Sequence, residues 1–107
     1  MQQSQEIKNI VDSIVKAVDV EKIYLFGSRA YGTPHADSDY DFYLVLPDNG
    51  IKPLEAMVEA NVALSAPEFM FPIDIVADYS KHFYERKDHY SFEEKVFNKG
   101  VVLYEQA

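Results

Sequence analysis

The sequence has no cysteine, which rules out a disulfide framework and any thiolate metal site and leaves a reducing compartment permitted. Positive charge is scarce: 10 Lys and Arg stand against 18 Asp and Glu, for a formal net charge of −8. Binding a long nucleic acid depends on neutralising phosphates with Lys and Arg, so a long RNA or DNA partner is disfavoured. No apolar run approaches membrane-spanning length, and the opening MQQSQEIKN lacks the basic-then-apolar layout of a signal peptide. These absences point to a cytoplasmic protein with neither membrane nor long nucleic acid as partner. Internal repeats, low-complexity tracts and linkers are missing too. What is present is 107 residues, 48 % of them hydrophobic, enough for one modest core and too few for two. Residues 1–107 are therefore read as a single domain.

Apolar residues Ile7, Ile10, Val11, Ile14, Val15 and Val18 recur at three- and four-residue steps, which predicts an amphipathic helix over 4–18 with Ser4 as N-cap. KIYLF (22–26) is short, β-branched and aromatic and stops at Gly27, as a buried strand would. A second strand is predicted over 40–46, ended by the turn formers Pro47, Asp48, Asn49 and Gly50. Pro53 suits the first position of a helix over 53–65, and Pro67 marks the loop after it. FPIDIVADY (71–79) reads as a third strand, and 80–99 as one broken or two short helices stopping at Gly100. VVLYE (101–105) closes the chain as a short edge strand. Phe83, Tyr84, Tyr90, Phe92 and Phe97 are read as core and helix-packing residues. The element order implies an α/β (α+β) domain with a small mixed β-sheet flanked by helices.

The chemistry is concentrated in YLFGSRAYGTPHADSDYDFYLVL, residues 24–46. Side chains alternate along a strand, so Asp39, Asp41 and Tyr43 share one face while Tyr40, Phe42 and Leu44 take the other. Carboxylate ligands of this kind suit a hard cation such as Mg²⁺, which completes its shell with water and substrate phosphate. Asp74, charged inside an apolar run, supplies a third carboxylate if its strand lies beside that of Asp41. Asp37 reads as a loop residue, and His35, His82 and His89 are too scattered for a zinc site. Opposite the acids, Gly27 ends a strand and Ser28 opens a helical turn through Arg29, Ala30 and Tyr31. A helix start offers unpaired backbone N–H groups, and glycine lets a phosphate come close. Arg29 either steadies a phosphate or makes a surface ion pair. A metal on one wall and an anion-binding turn on the other describe a nucleoside triphosphate site.

Gly27-Ser28, ten residues, then Asp39-x-Asp41, with Asp74 in a later strand, resembles the nucleotidyltransferase superfamily of the DNA polymerase β type. The chain is similar over nearly its whole length to the minimal (MNT) branch, the antitoxins of HEPN/MNT toxin–antitoxin systems. The resemblance implies the nucleotidyltransferase fold, with Gly27, Ser28 and Arg29 binding the nucleotide. It implies that Asp39, Asp41 and Asp74 ligate the catalytic metals, two Mg²⁺ ions with Mn²⁺ as the alternative, and that Asp74 also helps deprotonate the attacking hydroxyl. The implied activity is transfer of AMP from ATP to a hydroxyl, most simply a tyrosine, of a partner HEPN toxin, in the manner of a type VII-like antitoxin. Two other functions compete. A contact-only antitoxin would keep the acids as relics, and an aminoglycoside-type enzyme would need an acceptor domain that no segment here is long enough to supply.

Overall fold

The structure, a computed structural model, describes residues 4–32, 39–69 and 71–106; Asp37 and His35, discussed above, lie outside them. Helix α1 (Gln5–Ala17) begins as its N-cap predicts, with the Ser4 hydroxyl accepting from the Ile7 N–H at 3.2 Å. Strand β1 (Lys22–Phe26) runs into a one-turn helix α2 (Ser28–Tyr31), and β2 (Tyr40–Leu46) lies antiparallel to β1. Helix α3 (Pro53–Ala63) then carries the chain over to β3 (Ile73–Tyr79), which pairs parallel with β2. Helices α4 (Ser80–Arg86) and α5 (Phe92–Lys99) precede β4 (Val101–Glu105), antiparallel to β1. The sheet order is β3-β2-β1-β4, so the closing strand is an edge, as its sequence implies.

Strand alternation divides the apolar side chains between two sheet faces. Ile23, Leu25, Tyr40, Phe42, Leu44, Leu46, Ile75 and Ala77 face the inner sides of α1 and α3. Tyr24, Phe26, Tyr43 and Val45 face Phe83 and Val96 from α4 and α5. Each large side chain taken fully out of water in these layers contributes about 1.5–3 kcal/mol before entropy is counted. With both faces covered, the β2 side chains after Asp41 are all buried, and Asp41, near its N-terminal end, is the one left partly open to solvent. The site therefore has to sit there.

Residues 80–99 form two short helices, the second opened by Ser91, whose hydroxyl accepts from the Glu94 N–H. One aromatic departs from its predicted role. Phe83 is fully buried, but Tyr90, in the connection between α4 and α5, is 104 % exposed, because that connection lies beyond the helices' cover of the sheet. Helix α3 keeps a second apolar stripe, Leu54, Val58 and Val62, on its outward side at four-residue steps. Among the described residues no helix is long and apolar enough to cross a membrane.

Candidate active site

Two pairings build the acidic wall. The parallel register sets Asp41 directly beside Asp74, and Asp39 stands just ahead of β2 on the same side. One carboxylate oxygen from each of Asp39, Asp41 and Asp74 lies within 4.8 Å of the others. The condition set on Asp74, that its strand neighbour that of Asp41, is met. At that separation and an effective dielectric of 20, each ionised pair repels by roughly 3 kcal/mol. Asp41 shows the result: partial burial, then the charges of Asp74 and Asp39 and a hydrogen bond with Asp74, lift its carboxyl from 3.8 to about 6. An all-oxygen donor set of three clustered carboxylates fits a hard divalent cation, and Asp39, Asp41 and Asp74 would hold it.

The glycine turn meets this wall directly. Phe26 is paired with Asp41, so the next residue, Gly27, passes beside the Asp41 carboxylate. Gly27 has φ +76°, and a Cβ at this position would overlap the Asp41 Oδ2. Glycine is demanded twice over, by the backbone and by the acid. Its carbonyl accepts from Ala30 and Tyr31 at 3.0 and 3.1 Å, which closes α2 with Ser28 as first residue. Arg29 has its guanidinium stacked 4.1 Å from the centre of the Tyr40 ring, and the Tyr40 hydroxyl donates to Glu6 of α1 at 2.6 Å. Gly27, Asp39, Asp41 and Asp74 thus converge on one place, Ser28 follows directly as the first residue of α2, and Arg29 is engaged on the α1 side of the sheet.

Comparison with known proteins agrees with this fold. Residues 5–107 match the family described as polymerase beta, nucleotidyltransferase. The chain belongs to that family. Its fold is shared with a Sulfolobus solfataricus protein designated a nucleotidyltransferase, at a TM-score of 0.65 and 18 % identity over 95 % of this chain and 79 % of that one. It is shared too with a chain from the crystal structure of a toxin–antitoxin with AMP-PNP, at a TM-score of 0.58 and 23 % identity over 96 % and 75 % of the two chains. No curated protein matches the sequence.

In this family member Tyr43, on the acidic face of β2, does not enter the site. It is completely buried, packed on Phe83 and Phe92, and its hydroxyl donates to Glu93 at 3.1 Å. Burial and the Glu93 charge push the Tyr43 phenol far above its ordinary value. Glu93, 7 % exposed, is the polar anchor that sequence reasoning missed, and nothing in its spacing marks it out from Glu94. Phe92 completes the contact, its ring 5.1 Å from that of Phe26. The N-terminus of α5 is thereby fixed against the residue that leads into the glycine turn. A cavity of about 200 Å³ lined by Glu21, Lys22, Tyr84, Glu105 and Gln106 lies at the other end of β1, away from the carboxylates. Lys22 fills its role there as a structural hub, 3.3 Å from Glu105 and over the rings of Tyr24 and Tyr84.

Proposed function

We propose that residues 1–107 act as one minimal nucleotidyltransferase domain that transfers AMP from ATP to a hydroxyl, most simply a tyrosine, of a partner toxin of the HEPN type. The observation that carries this reading is the convergence of Asp39, Asp41 and Asp74 on the backbone of Gly27. Membership of the nucleotidyltransferase family supports the reaction class, and the likeness to a toxin–antitoxin chain crystallised with AMP-PNP supports ATP and a toxin as its two ligands. We place the activity in the cytoplasm, where ATP is available.

The chain's own groups divide the work. Gly27 and Ser28 present backbone amides and a hydroxyl to the triphosphate, and the missing Cβ lets it approach the acids. Asp39, Asp41 and Asp74 hold Mg²⁺, or Mn²⁺ in its place. When bound, two such ions would polarise the phosphate oxygens and offset the charge that develops as the bond to pyrophosphate breaks. The acceptor hydroxyl attacks the α-phosphorus, its O–P bond forms as the P–O bond to pyrophosphate breaks, and its proton passes to the Asp74 carboxylate. Asp74 suits that part because it is exposed at the rim of the site, whereas Asp41 is half covered.

The test is intact-mass spectrometry of the toxin that co-purifies with this chain, compared between wild type and Asp41→Asn. A toxin heavier by AMP with wild type alone supports the reading. A second reading, neutralisation by contact, is favoured by the outward stripe Leu54, Val58 and Val62 on α3, a surface ready for a partner. An unmodified toxin that stays bound and silent with both proteins would select it.

A further inference from the structure

A site that gathers three carboxylates and is to bind a polyphosphate needs more positive charge than a shared metal supplies. The Gly27 turn carries one cation of its own, Arg29, and that guanidinium is stacked on Tyr40 on the α1 side of the sheet. The other side of the turn is served by α5. There the Lys95 ammonium stands 5.1 Å from the centre of the Tyr31 ring. Tyr31 is three residues after Ser28 on α2, and residues three apart are neighbours on one helix surface. Lys95 is exposed and forms no ion pair among the described residues. The acids nearest in its own helix are occupied elsewhere: Glu93 accepts from buried Tyr43, and Glu94 accepts from Asn98 at 3.4 Å. Its backbone is held in place by Phe92 on Phe26 and by buried Val96 in the core layer under Tyr31. An ammonium resting on an aromatic face, with no carboxylate attached, is a mobile point charge ready for an anion.

We infer that Lys95 is a ligand of the nucleotide's polyphosphate tail, contacting the phosphates beyond the reacting one; the inference rests on the nucleotidyltransferase reading of the site. Tyr31 acts as the platform on which the ammonium waits. Because Lys95 stands over Tyr31, beside the Gly27-Ser28 turn that would receive the phosphates beyond the reacting one, its contribution goes to ATP and not to AMP.

The test is calorimetric titration of the full-length wild type, K95M and K95R with α,β-methylene-ATP and with AMP, each in Mg²⁺. Methionine keeps the apolar stem on Tyr31 and removes the charge alone. Losing one charge-assisted contact from an exposed site should weaken K95M binding of the ATP analogue about tenfold. AMP affinity should stay within about twofold, and K95R should recover most of the loss, since a guanidinium still offers donors to phosphate. Equal affinity of wild type and K95M for the analogue would overturn the inference while leaving the site reading standing. A parallel loss of both ligands would overturn it too, because it would mark Lys95 as structural. A wild type that fails to bind the analogue in Mg²⁺ would bring down the site reading itself and this inference with it.

Discussion

Replacing Asp41 by Asn is expected to stabilise the metal-free protein at pH 8. In the folded chain the carboxyl is lifted from 3.8 to about 6, chiefly by burial and then by Asp74 and Asp39. A folded-state value above the unfolded one means that the native protein holds the proton more tightly. Stability conferred by that proton is therefore complete below pH 3.8 and is lost as pH rises through about 6. Counted in full, at ~1.36 kcal/mol per pH unit, keeping Asp41 ionised costs the native state about 3 kcal/mol. Asp39 and Asp74 are exposed and solvent screens part of their repulsion, which leaves about 1–2 kcal/mol. For a chain of this size that is a Tm gain of roughly 5–10 °C for the neutral variant. Thermal melts in EDTA at steps from pH 4 to pH 8 should show the gain growing between about pH 4 and 6.5 and then levelling. Adding Mg²⁺ should raise the wild-type Tm and leave the variant nearly unmoved. An Asn variant less stable than wild type at pH 8, or one whose advantage is the same at every pH, would refute the argument.

Gly27→Ala should lose about 2–4 kcal/mol in urea melts, from a positive φ together with overlap on Asp41, and should lose Mg–ATP binding; a change under about 0.5 kcal/mol would contradict the geometry. Lys22→Met removes the ammonium shared by Glu105, Tyr24 and Tyr84 and should cost about 1–2 kcal/mol in urea, since Glu105 is largely exposed; nucleotide binding, measured by calorimetry, should be untouched. Tyr43→Phe strips buried Glu93 of its donor and should cost about 1–3 kcal/mol, and adding Glu93→Leu should recover most of it, a double-variant cycle read from urea midpoints.

Much of this site was legible because its signals are local. The Ser4 hydroxyl caps the helix that follows it, and Gly27 interrupts an apolar run where the chain must turn with positive φ. Two-residue alternation along β2 was enough to put Tyr40, Phe42 and Leu44 on one face and Asp41 and Tyr43 on the other. The strand neighbour of Asp74 was a condition and not a reading, because pairing between strands joined by a crossover helix leaves no trace in either strand's own pattern. Tyr43 shows the limit most plainly. Alternation gives its face, but whether that face at that level is open to substrate depends on α4 and α5, which begin some forty residues later. Glu93, Lys95 and the Arg29 stack on Tyr40 are contacts between distant segments and carry no periodic or motif signature.

Asp74 belongs to β3, and among the described residues β3 is an outer strand paired with β2 alone. Border strands are the parts of a sheet that peel first, and if β3 peeled it would bare the ladder of β2, the most apolar strand in the protein. A cation shared between Asp41 and Asp74 would rivet the two strands together one residue from the start of their pairing at Tyr40 and Ile73. Amide exchange along 73–79 should slow when the rivet is in place, and the sheet's resistance to invasion by another chain should rise with it. Occupancy of the site and integrity of the sheet's border would then be a single quantity, and withholding metal and nucleotide should leave the border readier to pair with another chain.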